Sequence, residues 1–379
     1  MSWNHDNVVG WLHEHGPKPP DLHGLIDGLG AEMLRLGAPV WRIRVAQRIV
    51  HPLTAAVSAI WERDEEPTGP IENAHGLEKR PEFKGSPLAE ISVTRKPLRK
   101  DLTRLGPDDH LAYRELQARG ATDYFGVPLP YGNHLSGILV VATDRPGGFD
   151  DADIDGIQIL SMALAPLAEV HRLKTLSSAV TAAYLGERTG QRVLGGQITR
   201  GHIDAIEAAI LFSDIRGWTD LNAKYPVEQT VELANRYFEL IDQSVTAHGG
   251  EVLKLMGDGV LAIFPIGAEG ENTCTRALVA ARAALEKPTH DRLTFGIGLH
   301  FGRVMYGNVG SNRRLDFTVL GQAVNIASRI ESLCARTGHA LLFSREFADQ
   351  LPDPQKSIGF FSLKGLEEKT EIFAPNQTL

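Results

Sequence analysis

The apolar positions of this chain change period several times, and each change predicts an element. Leu22, Leu25, Leu29, Met33 and Leu36 recur at helical spacing and stop at Gly37. Trp41, Ile43 and Val45 alternate as in a half-buried strand, and Thr54 to Trp61 reads as another. Glu62 to Pro87 is charged and rich in Pro and Gly, which predicts loop. Ala121 to Pro130 and Gly137 to Thr143 predict a strand pair about Tyr131-Gly132-Asn133. Asp150 opens a long helical run through Ile157, Leu160, Leu164 and Leu167 to Val180.

The second half alternates more regularly. Ala208 to Phe212 is a short apolar run, the mark of a buried strand. Pro226 opens a helix whose predicted core face is Val227, Val231, Ala234, Phe238, Ile241 and Val245, ended by Gly249-Gly250. Glu251 to Pro265 predicts a hairpin turning at Gly257-Asp258-Gly259. Thr273 to Leu285 predicts an Ala-rich helix. Leu293 to Phe301 predicts a strand, with a turn at Gly302-Arg303 and Val304 to Val309 pairing back. A helix carrying Asn325, a strand at Leu341 to Phe343 and a hairpin about Lys364-Gly365 close the order. Many glycines between Leu185 and Asp204 mark a boundary. The predicted division is a loosely held lead-in over 1–20, a sensor domain over 21–170, a signalling helix and transducer over 171–204, and a catalytic domain over 205–379.

Bulk properties narrow the function classes. The length of 379 residues suggests at least two domains, and 42% apolar with 23% charged residues is ordinary for a globular protein. A formal charge of −8 with no basic patch argues against a nucleic-acid binder. Cys274 and Cys334 are too few for a disulfide framework or zinc cluster. No apolar run is long enough to span a bilayer, and the N-terminus lacks a basic, then apolar, leader. The expected location is the cytoplasm.

Three stretches carry the chemistry. In LFSDIRGWTDL, Asp214 ends a core strand and is followed by Gly217-Trp218-Thr219. A carboxylate there needs a cation or a set of donors. It is either a turn acid capping the next helix or a metal ligand, with the N–H groups of Gly217 to Thr219 cradling phosphate oxygens. In EVLKLMGDGVLAIFP, Asp258 sits in the turn, where Asp-Gly is also a common turn former. In LDFTVLGQAVNIASRIESL, Asn325 and Arg329 lie four apart on one helix face, with Val324, Ala327 and Ile330 on the apolar face.

In order, spacing and residue type these stretches resemble the class III nucleotide cyclases, over roughly Glu207 to Phe373. The resemblance implies an α+β fold, a ferredoxin-like palm of antiparallel sheet with flanking helices. It implies adenylate cyclase activity: the ribose 3′-oxygen of ATP attacks the α-phosphorus and pyrophosphate leaves. Asp214, Asp258 and the Ile215 carbonyl would hold two divalent cations, Mg²⁺ or in its place Mn²⁺. Asn325 would position the ribose and Arg329 would stabilise the α-phosphoryl group. Lys364 matches the triphosphate lysine, while the second basic residue of that turn is Leu366 here. The base-selecting pair falls on Lys254 and Thr318, a donor and an acceptor suited to adenine; guanylyl cyclases place an acid at the lysine position. One catalytic domain per chain implies a homodimer with shared sites. A diguanylate cyclase would carry an acidic Gly-Gly signature, which KLMGDGV lacks.

The first half resembles a GAF-type sensor, closest in GILVVATDRPGGFDDADIDGIQIL. Its implied partner is an unidentified small molecule or protein. It has no cysteine for thioether attachment of a bilin. Nine of the fourteen histidines lie before residue 200, as haem ligands or as ordinary core and solvated side chains.

Overall fold

In the computed structural model, which describes residues 3–49, 54–66, 69–199, 201–267, 272–287, 293–311 and 313–376, the chain divides into Met1–Val180 and Thr181–Leu379.

The first unit is built on a six-stranded sheet in the order β3-β2-β1-β6-β5-β4. Its strands are β1 (Arg42–Arg48), β2 (Thr54–Glu62), β3 (Ile71–Ala74), β4 (Leu98–Asp101), β5 (Asp123–Tyr131) and β6 (His134–Thr143). Every pairing in it is antiparallel. One face is covered by α1 (His5–His15), α2 (Leu22–Arg35) and α5 (Asp151–Leu185), which bury Leu12, Leu29 and Leu164 against Ile43, Val45, Leu139 and Val141. The other face carries α3 (Pro87–Thr94) and α4 (Leu111–Ala118), with Ile91, Tyr113 and Leu116 packed on Tyr124, Ile138 and Val140. α5 continues past the unit boundary at Val180.

Two expectations change here. Residues 1–20 were expected to be loosely held. Instead α1 is capped by Asn4, whose side chain accepts from the Asn7 N–H at 3.2 Å, and Trp3 Nε1 donates to buried Asp153 at 3.1 Å. Few apolar residues suffice because Trp3, Val8 and Leu12 are all buried. The expected loop over Glu62 to Pro87 contains β3, a short edge strand with mostly exposed residues and so no apolar period.

In the second unit the strands β7 (Ile203–Ile215), β8 (Glu251–Met256), β9 (Gly259–Pro265) and β10 (Phe295–Gly310) lie in the order β10-β7-β9-β8. With α8 (Val227–Ala247) after β7 and α9 (Thr273–Glu286) after β9, this is the β-α-β-β-α-β palm, antiparallel throughout. Outside it, β12 (Leu341–Ser344) joins β10 in parallel and leads to β14 (Thr370–Ala374) and β13 (Lys356–Phe361). β11 (Leu315–Leu320) pairs with the far half of β10. α6 (Glu187–Leu194), α7 (Trp218–Lys224), α10 (Gln322–Thr337) and α11 (Arg345–Ala348) complete the unit.

β10 does not turn at Gly302-Arg303. It runs straight on, paired to β7 from Phe295↔Ile215 to Gly307↔Ile203. Glycine is tolerated there because the neighbouring strand supplies the ladder, and a Cβ on Gly302 would already meet Ala323 at 3.1 Å. The core face of α8 is also rotated from expectation. Val227 and Val231 are exposed, whereas Leu233, Ala234, Tyr237, Ile241 and Val245 are buried. Tyr237 is drawn inward by its hydroxyl, which donates to Ser213 Oγ at 2.8 Å. A polar contact overrode the apolar spacing.

Candidate active site

The site begins at the end of β7. Asp214 stands between two glycines in the adjoining strands, Gly296 on β10 and Gly259 on β9. A Cβ on Gly259 would meet Asp214 Oδ1 at 3.4 Å, and one on Gly296 would overlap Arg216 and Glu331 at 2.2 and 2.6 Å. The two missing side chains make room for the carboxylate on one side and for an Arg–Glu pair on the other. Beneath it, Ser213 Oγ donates to the Gly296 carbonyl at 2.8 Å and receives the Tyr237 hydroxyl. These bonds fix the strand end from the opposite face.

Asp258 reaches the same place by a different route. Met256 pairs with Gly259, so Gly257 and Asp258 form a two-residue turn, with Gly257 at φ 66°. The Ile215 N–H approaches the Asp258 carbonyl at 3.4 Å. The two carboxyl groups lie close enough to interact. Burial first, and then the neighbouring charge of Asp258, push the Asp214 carboxyl up to about 6. Asp214 is not a helix cap: the N-cap of α7 is Gly217, which is left-handed at φ 62° and gives no side-chain cap. As first-turn positions, Trp218 and Thr219 have N–H groups without an intrahelical acceptor.

Does this arrangement suit divalent cations? Two facing carboxylates that cannot both ionise comfortably are what a cation between them would relieve. Among the described residues no group of three or more His, Cys, Asp or Glu side chains converges on a metal position. That excludes a zinc-type cage there, but Mg²⁺ uses few protein carboxylates and takes the rest from phosphate and water. The residues fit.

Lys254 on β8 bonds to Asp316 on β11, and buried Thr318 lies two positions on, hence on the same strand face. Lys254 and Thr318 therefore flank one surface, together with Asp316. Asn325 is exposed on α10, which is capped by Gly321 rather than by it. Arg329 pairs with neither Asp316 nor Glu331, since those bind Lys254 and Arg216. Its guanidinium lies beside Gly365, where a Cβ would be 3.5 Å away, so Arg329 and the Lys364 turn are neighbours. Leu366 turns inward onto the cluster of Ile330, Leu333 and Leu342, the packing reason for a leucine there. Among the described residues no hydrogen bond joins Asn325 or Arg329 to either aspartate.

Two residues carry no site role that the sequence assigned. Arg216 and Glu331 pair at 3.6 Å behind Asp214. Burial raises the Glu331 carboxyl to about 7, against the pull of Arg216. A charged residue at a helix position among apolar neighbours, Ile330 and Leu333, was the available signal for Glu331.

Residues 203–356 match the family described as the adenylate and guanylate cyclase catalytic domain. An adenylate cyclase of Anabaena cylindrica is 30% identical over 182 residues, 45% of this chain and 35% of that protein. An uncharacterized protein of Mycobacterium tuberculosis is 31% identical over 241 residues, 60% of this chain and 42% of the relative. The chain spans about a third of the length of the first curated relatives it matches, 35%, 32% and 32%. Among solved structures, a bacterial light-regulated adenylyl cyclase aligns with 69% of this chain and 88% of its own, at 24% identity and TM-score 0.49. The second unit is a class III nucleotide cyclase catalytic domain. Among the described residues no helix is long and apolar enough to cross a membrane.

Proposed function

We propose that this chain is an adenylate cyclase, forming 3′,5′-cyclic AMP and pyrophosphate from ATP. The observation that carries the reading is the carboxylate pair Asp214–Asp258, held between glycines at the end of the central strand. Asp214, Asp258 and the Ile215 carbonyl would hold two Mg²⁺ ions, or Mn²⁺, which when bound neutralise phosphate charge and acidify the ribose hydroxyl. Arg329 would stabilise charge on the α-phosphoryl oxygens and Asn325 would orient the ribose. Gly217, Trp218, Thr219 and Lys364 would bind the remaining phosphates. Lys254 would donate to adenine N1 and the Thr318 hydroxyl would accept from the exocyclic amine. Asp316 holds the Lys254 ammonium in that position.

The sites would be completed across a homodimer. Two observations support this. Asn325 and Arg329 make no bond to the aspartates of their own chain among the described residues, and the β8 edge and the β10–β11 ribbon expose Leu255, Met256, Met305, Leu315 and Leu320. Met305 and Leu320 are direct register partners. The first unit would act as a GAF-like sensor over about 21–170, signalling through the α5 helix and the 171–204 segment.

The test is cyclic nucleotide production from ATP and from GTP with Mg²⁺ or Mn²⁺. ATP should be preferred, and Lys254→Glu with Thr318→Ser should lower the ATP-to-GTP ratio of kcat/KM by at least about tenfold. No product from either nucleotide would leave a nucleotide-binding module without catalysis. An unmoved ratio would place base choice elsewhere.

A further inference from the structure

On the face of the first sheet covered by α3 and α4, one charge has no counter-charge. Arg44 Nε and Nη2 both donate to a single neutral hydroxyl, Ser58 Oγ, at 3.2 and 2.9 Å. Among the described residues no carboxylate pairs with it. Burial and the neighbouring Arg42 both disfavour its charge. The nearby acids are committed: Glu62 to Arg42 and Arg119, and Glu65 to Arg119. Guanidinium cannot escape by losing its proton, so burying it without an anion is costly.

A second polar group on the same face is also without a partner. Tyr124 is 4% exposed and its hydroxyl has no hydrogen bond. The register shows where it leans. Arg44, Val140 and Gly126 are aligned across β1, β6 and β5, and a Cβ on Gly126 would meet the Tyr124 hydroxyl at 2.9 Å. The phenol thus fills the row of Arg44, with Val140 between. The remaining surroundings are apolar: Ile138, Val140, Ile91 and Tyr113.

We infer that Arg44 and the Tyr124 hydroxyl form a binding site for a small organic acid, whose carboxylate takes both and whose apolar body lies on Ile138 and Val140. The inference gives a ligand class to the sensor proposed above and rests on that reading for its regulatory meaning; binding itself does not depend on it.

The test uses the full chain, with thermal unfolding followed in benzoate, acetate and inorganic phosphate against chloride at matched ionic strength, without divalent metal. Benzoate should raise Tm most, and Arg44→Met should abolish the shift while raising Tm in chloride, because an unpaired, half-buried charge is removed. Tyr124→Phe, which keeps the packing, should weaken benzoate affinity by roughly threefold to tenfold. Lys364→Ala, in the other unit, should leave the shift intact. The site is overturned if benzoate gives no shift, if the shift survives Arg44→Met, or if phosphate matches benzoate. Cyclase rates read in parallel separate this outcome from failure of the cyclase reading.

Discussion

Asp214 is the residue on which the proposed chemistry turns, and its titration is a measurable consequence of its place. Its folded carboxyl is raised to about 6 from 3.8. The folded state therefore binds more protons than the unfolded state between about pH 4 and 6. Asp214 costs no stability below that window, and the full penalty, on the order of 3 kcal/mol, is present above it. Asp214→Asn should remove this fall, so that metal-free stability of the variant exceeds wild type above pH 6 in urea titrations. Divalent cations favour the ionised pair, so the Tm increment from Mn²⁺ should grow from pH 5 to pH 7 in wild type and vanish in the variant. An increment that is flat with pH would mean that the cation binds elsewhere. Both aspartates were legible as residues from the motif spacing. The Arg216–Glu331 pair was not, because an ion pair between residues far apart in sequence leaves no pairing signal; its one trace was a charge among apolar helix neighbours at Glu331.

At the scale of elements, the position of α10 depends on one glycine. A Cβ on Gly298 would come within 2.4 Å of the Ala327 carbonyl and the Glu331 N–H. The helix backbone lies flush on β10, and α10 carries both Asn325 and Arg329. Gly298→Ala should displace the helix, cost roughly 1–3 kcal/mol in stability and lower kcat more than tenfold with little change in KM for ATP. Unchanged turnover in a folded variant would show that α10 is not a positioning element. Strands with an even apolar period, such as β1 and β5, could be read from the sequence, and so could the hairpin bearing Asp258. The straight passage of β10 through Gly302 could not, since a glycine reads as a turn until the partner strand is known. The burial of Tyr237 was hidden for the same reason: its partner, Ser213, lies on another element.

For the whole molecule, the shared-site proposal makes a sharp prediction. Asp214→Ala and Asn325→Ala homodimers should each lose at least about a hundredfold in activity. Mixed, they form a heterodimer in which one site carries both lesions and the other carries none. Cyclic AMP output against mixing ratio should peak near equal amounts, at up to about half the wild-type rate per dimer. A flat curve, with chain exchange shown independently, would mean that each site is built within one chain. The order of elements in the palm was legible because each changes period. The helix at the N-terminus was not, since its buried contacts are three side chains in a polar stretch.

The pairing of Asp214 opposite Gly259 also bears on how the protein folds. The β8–β9 hairpin closes through a two-residue turn and is local, whereas β7 meets β9 only after α7, α8 and β8 have been spanned. Local contacts form early and non-local ladders late. Asp258 would then acquire its turn before the rate-limiting step, and Asp214 would meet it afterwards. A cation that needs both can act only on the far side of the barrier. In stopped-flow experiments Mg²⁺ should slow unfolding and leave the refolding limb unmoved. A refolding rate that rises with Mg²⁺ would mean that the two acids are already together at the summit.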